Sequence, residues 1–236
     1  MYEHIPGRLA EVRNHIAEAA GRAGRPPESV RLIAVSKTHP LDAVKAAADA
    51  GQLDFGENKV QEALQKIAAS TDTRLRWHLI GHLQSNKAKK AAAAVHAIHA
   101  IDSVDLLKRI DEAAAAAGLT VEVLVQVDLA LEATKHGASV DKVPGIFAVA
   151  AQCRSAALVG LMLLPPLAEN PEDARPWFAR LRGLRDQLAE GGVPPARLRE
   201  LSMGMSHDFA VAIEEGATMV RVGTAIFGGR EYGTGD

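Results

Sequence analysis

At 236 residues and 25.0 kDa the chain is long for a small domain and ordinary for one α/β barrel, and its 47% hydrophobic content allows a large core. A net charge of −2 excludes the strongly basic footprint of a nucleic-acid binder, and no apolar run approaches the roughly 20 residues of a membrane span. One cysteine, Cys153, excludes an internal disulfide, and Met1-Tyr2-Glu3-His4-Ile5-Pro6 lacks a signal peptide's pattern, so the reading is of a cytoplasmic protein.

An opening helix is predicted from about Ile5 to Ala23, because Leu9, Val12, Ile16 and Ala20 recur at helical spacing and Gly24 with Pro26-Pro27 stops it. Residues 1–24 are expected to pack as this helix on a single domain that spans 1–236. Short apolar runs then mark strands near 31–36, 53–56, 76–80, 96–101, 121–127, 157–163, 198–202 and 218–222. Ala-rich amphipathic segments near 40–51, 58–69, 84–94, 103–117, 139–152, 171–190 and 206–216 lie between them. The strand runs are continuously apolar, as in a parallel sheet covered on both faces. With aromatics at only 4%, Ala, Val, Leu and Ile must build the core. Eight βα-like units with no composition break predict a (β/α)8 barrel, with an open doubly wound sheet as the competitor.

Barrels carry their reactive groups at the C-terminal strand ends, and polar residues of this chain fall there repeatedly. Lys37 ends the first run, Leu32-Ile33-Ala34-Val35-Ser36-Lys37-Thr38. A lysine there can lose enough hydration to shed its proton, and a neutral amine attacks carbonyls. Gly56-Glu57-Asn58 and His78-Leu79-Ile80-Gly81 end the second and third strands, and Met162 lies near the end of the sixth. Ser202-Met203-Gly204-Met205-Ser206 is read as the loop after the seventh strand, and Gly223-Thr224 follows the eighth. Loops of this Gly/Ser/Thr-rich kind after strands seven and eight hold phosphate in many barrels. Arg221 stands between Val220 and Val222 inside a strand. If the valines face the helices, its guanidinium points into the barrel and needs an acceptor, such as a pyridine nitrogen.

Each residue alone has a plainer reading. Lys37 can snorkel, Ser202 to Ser206 can cap the helix near Asp208, Asn58 can cap the helix that follows it, and His78 can be a satisfied core histidine. Together, a carbonyl-seeking lysine and a phosphate pocket describe a phosphorylated carbonyl compound held as a Schiff base, for which pyridoxal 5′-phosphate (PLP) is the candidate. An arginine partner would leave the ring nitrogen unprotonated and weaken the ring as an electron sink.

Several stretches in order resemble the pyridoxal phosphate homeostasis protein family, single-domain relatives of the alanine racemase barrel domain. They are Ala34-Val35-Ser36-Lys37-Thr38, Phe55-Gly56-Glu57-Asn58-Lys59-Val60-Gln61-Glu62, Trp77-His78-Leu79-Ile80-Gly81-His82-Leu83-Gln84-Ser85-Asn86-Lys87, Gly160-Leu161-Met162, Leu201 to Ser206, and Met219 to Gly228. The resemblance runs from about Arg31 to Tyr232 and implies that Lys37 forms the internal aldimine with PLP. It implies further that Ser202, Gly223 and Thr224 hold the phosphate, that Arg221 meets the pyridine nitrogen, and that Asn58, Met203 and Met162 line the ring and its phosphate end. Glu132-Ala133-Thr134-Lys135-His136-Gly137 resembles the family segment that makes Lys135 a candidate secondary PLP-reactive lysine. His82 departs from the pattern, where proline is expected, and is read as touching a loop rather than the cofactor.

Three activities remain open on sequence grounds. The favoured one is a PLP carrier in intracellular vitamin B6 homeostasis, monomeric, without catalytic turnover, with PLP-dependent apoenzymes as candidate recipients. An amino-acid racemase would need a second proton carrier opposite Lys37. The chain's tyrosines, Tyr2 and Tyr232, lie near its ends, and no second domain is expected after the barrel. A cofactor-free Schiff-base aldolase would instead need an acid or base beside Lys37, with Asp102 and Asp128 as candidates, and would leave Arg221 without a role.

Overall fold

The expected continuous apolar runs become eight parallel strands, because a residue buried on either face of a covered sheet has no reason to be polar. They are β1 (Arg31–Val35), β2 (Asp54–Glu57), β3 (Arg76–Leu79), β4 (Ala97–Ile101), β5 (Val121–Gln126), β6 (Ala156–Met162), β7 (Glu200–Met205) and β8 (Met219–Val222). In the computed structural model, which describes residues 2–130 and 136–229, they close in chain order, with β8 pairing back onto β1. The fold is therefore a (β/α)8 barrel and not an open sheet.

Helix α1 (His4–Arg22) precedes the strands, and α2 (Leu41–Asp49), α3 (Val60–Ala69), α4 (Ala88–Ala92), α5 (Val104–Ala116), α6 (Val143–Ala150), α7 (Arg175–Glu190), α8 (Phe209–Glu214) and α9 (Thr224–Phe227) connect or follow them. The apolar stripe that predicted α1 is buried at Leu9, Val12, Ile16 and Ala20, and the helix packs against α8, α9 and α2. One large core lies between strands and helices and includes Val220 and Val222. A smaller one, Ile33, Leu124, Val159, Met162 and Met219, fills part of the barrel interior.

The seventh strand departs from expectation. Expected over 198–202 with a loop beyond, it runs over Glu200–Met205, held by pairing of Ser202 with Met219 and of Met205 with Arg221 across an irregular register. Ser202 and Met203 therefore lie inside a strand and alternate faces. Gly204, at φ 92°, permits the tight approach of α8: a Cβ there would stand 2.6 Å from the Ala212 Cβ.

Candidate functional site

A cavity of about 630 Å³ opens at the C-terminal ends of the strands, within the size range of small-molecule sites. Five residues singled out in the sequence line it: Lys37 after β1, Asn58 after β2, Arg221 on β8, and Gly223 and Thr224 directly after it. Lys37 is half-buried. Gly81 and Asn58 meet at the wall, where a Cβ on Gly81 would lie 2.4 Å from the Asn58 carbonyl oxygen, so only glycine lets the end of β3 close onto that backbone. Asn58 is not a helix cap; α3 begins after Lys59.

Arg221 points into the barrel because its neighbours Val220 and Val222 occupy the outer core. Its Nη1 donates to Ser202 Oγ at 2.6 Å and its Nη2 to the Leu163 carbonyl at 2.8 Å. Only 3% of the residue is exposed. Burial lowers its pKa to about 10, against the opposing field of Asp208, so the guanidinium stays protonated near neutrality. Below it, His99 Nδ1 lies 2.9 Å from Ser202 Oγ, His99 Nε2 3.0 Å from His78 Nδ1, and His78 Nε2 3.0 Å from Asp54 Oδ1. Burial holds His99 well below the usual imidazole range, with the fields of His78, Arg221 and Arg31 adding to it. His78 is thus the satisfied core histidine that its apolar neighbours suggested.

Three expected site residues sit elsewhere. Ser202 is fully buried with its hydroxyl engaged by Arg221 and His99, and it does not line the cavity. Met203, one residue on, faces outward into the strand–helix core, and Met162 lies in the barrel's inner core. For Ser202 and Met203 the cause is the longer β7, which carries the chain past Met203 before it turns to the cavity. The serine at the cavity is Ser206, whose Oγ accepts the Gly223 N–H at 3.1 Å. It belongs to the sequence stretch already noted, but only the strand's true end distinguishes it from Ser202.

Four histidines not expected at the site also line the cavity: His39, His82, His136 and His207. His82 stacks on His136 of the loop after β5 with ring centroids 3.6 Å apart, so it does touch a loop, and it reaches the cavity as well. Burial, then the field of His136, lowers the His82 pKa. Asp102 lies 3.8 Å from His82, and neither Asp102 nor Asp128 is a lining residue. Lys135 and Tyr232 fall outside the described residues. Among the described lining residues the charged side chains are Lys37 and Arg221, with histidines and hydroxyls around them and no carboxylate. That donor set suits an anion bearing an electrophilic carbon.

The family model of the alanine racemase N-terminal domain matches residues 8–231, which defines the class of barrel. Pyridoxal phosphate homeostasis proteins of Aquifex aeolicus and Pseudomonas aeruginosa are 43% and 44% identical, over 95% and 97% of this chain and 98% and 97% of their own lengths. PipY of Synechococcus elongatus, solved with PLP bound, is 41% identical, covers 95% of this chain and all of its own, and superposes with a TM-score of 0.83. The chain belongs to the pyridoxal phosphate homeostasis protein family.

Proposed function

We propose that this protein binds PLP in the barrel cavity, attached covalently through Lys37, and serves intracellular PLP homeostasis rather than turnover of a substrate. The observation that carries this reading is the convergence of one amine, one buried guanidinium and the Ser206 and Thr224 hydroxyls on a single cavity. Lys37 supplies the nucleophile for the aldehyde. Ser206, Gly223 and Thr224 form the phosphate end, Arg221 is the partner of the ring nitrogen, and Asn58 lines the ring.

PLP, when bound, supplies an electron sink whose strength depends on protonation of its ring nitrogen. Arg221 can only donate there, and its protonation keeps the ring nitrogen unprotonated. This favours storage over chemistry at an amino acid's α-carbon. The protein is read as a cytoplasmic monomer that passes PLP to apoenzymes.

The test is the visible spectrum of purified protein mixed with PLP, before and after borohydride, with mass spectrometry locating the label. An absorbance that vanishes on reduction, with the label on Lys37, supports the reading; protein that stays unlabelled overturns it. Solvent-deuterium exchange at the α-carbon of L-alanine above a protein-free control would move the assignment to a racemase.

A further inference from the structure

If Lys37 is the attachment point, something must hold the amine of this half-buried loop residue toward the cavity. The answer lies on α3, outside the cavity. Thr38, next to Lys37, has φ 68°, and among the described residues no other non-glycine has a positive φ. A β-branched residue adopts that conformation only where its surroundings enforce it. Thr38 is exposed, so side-chain packing does not enforce it.

Hydrogen bonds do. The Thr38 N–H donates to Glu62 Oε1 at 2.5 Å. On the other side of Lys37, the Ser36 carbonyl accepts from Lys66 Nζ at 2.7 Å. Lys66 also donates to Glu62 Oε1 at 2.9 Å and to Glu57 Oε1 at 2.6 Å, which uses all three of its N–H groups. Ser36 Oγ donates to the same Glu57 oxygen at 2.6 Å. Glu62 and Lys66 stand four apart on α3 and so share one face of it. Lys66 is 7% exposed and Glu57 is fully buried, with Oε2 of Glu57 unpartnered. A buried ammonium with two carboxylates is a costly way to gain stability alone. What it does achieve is to grip the main chain immediately before and after Lys37.

We propose that Glu62 and Lys66 are positioning residues, which clamp the Ser36 carbonyl and the Thr38 amide so that the Lys37 amine is presented to the cavity. This deepens the reading of Lys37 in the preceding subsection and rests on it. Neither residue lines the cavity.

The experiment compares the unmodified protein with Glu62→Ala, Glu62→Gln and, as a second site, Lys66→Met. Two quantities are read: amide hydrogen exchange at Thr38 in the cofactor-free protein, and the rate at which PLP becomes trapped on Lys37. In the trapping reaction the amine adds to the aldehyde carbon, water leaves, and borohydride delivers hydride to the resulting C=N bond. Glu62→Ala is expected to raise Thr38 exchange about tenfold or more. It should also slow trapping by about tenfold or more, because small misplacements of a reacting group carry large rate costs. Glu62→Gln, which keeps an acceptor for Thr38, should recover much of both. Glu62 is partly exposed, so its variants are expected to fold even where Lys66→Met does not. Lowered thermal stability with wild-type exchange and wild-type trapping would overturn the proposal and reduce the cluster to a structural one. If the unmodified protein traps nothing at Lys37, the proposed function fails; unchanged Thr38 exchange in Glu62→Ala would separately overturn the clamp.

Discussion

Arg221 donates a 2.6 Å hydrogen bond to Ser202 across adjacent strands, and this joins the cavity floor to the middle of the barrel. One donor direction satisfies the whole chain beneath: Ser202 accepts from Arg221 and donates to His99 Nδ1, His99 Nε2–H donates to His78 Nδ1, and His78 Nε2–H donates to Asp54. His99 is then neutral, as its depressed pKa requires. Ser202→Ala should leave Arg221 and His99 each short of a partner and cost about 1–3 kcal/mol, read by urea unfolding.

Ser206→Ala should behave in the opposite way, with little change in unfolding midpoint and weaker retention of PLP. Pyridoxal, which lacks the phosphate, should be insensitive to it. If Ser202→Ala spares stability and selectively weakens PLP over pyridoxal, the assignment of the two serines is reversed.

Thr224→Val removes a hydroxyl from the proposed phosphate end. Loss of one hydrogen bond to a charged group should weaken PLP binding by about 1.5–3 kcal/mol, again with pyridoxal unaffected, in equilibrium dialysis. Equal losses for both ligands would place the phosphate elsewhere.

Asp54 governs an acid branch of stability. Burial acts to raise its pKa, but the hydrogen bonds from His78 and Arg76 outweigh burial and hold it at about 2, against 3.8 as the ordinary value. A carboxyl depressed on folding stabilises the protein above its unfolded pKa, and that contribution is lost as pH falls through the folded value. Stability should therefore drop between about pH 4 and pH 2 by up to about 2 kcal/mol from this group. Unfolding of Asp54→Asn across that window should show a shallower slope than wild type.

Gly81→Ala tests the cavity wall. Its Cβ would meet the Asn58 backbone at 2.4 Å, a contact that only movement of main chain relieves. A cost of about 1–3 kcal/mol in stability is expected, together with weaker PLP binding as Asn58 shifts. Wild-type binding would separate Asn58 from the ligand.

The barrel was legible in the chain because each strand is a continuous apolar run between amphipathic segments, and local hydrophobicity alone carries that signal. Lys37, Asn58, Gly223 and Thr224 were legible because strand ends are where a covered barrel exposes backbone and side chains. Arg221 could be aimed inward from its two valine neighbours, since strand residues alternate faces. The end of β7 could not be read. It depends on pairing with β8, and the longer strand places Ser202 in the interior against Arg221 and His99 and Ser206 at the cavity. The polar chain from Arg221 to Asp54 and the clamp formed by Ser36, Glu57, Glu62 and Lys66 join groups on different elements. Pattern within one segment determined which elements form and roughly where the reactive ends lie. Contacts between segments, set by strand register and helix packing, decided which side chain at each end meets the cavity and which is consumed in holding it.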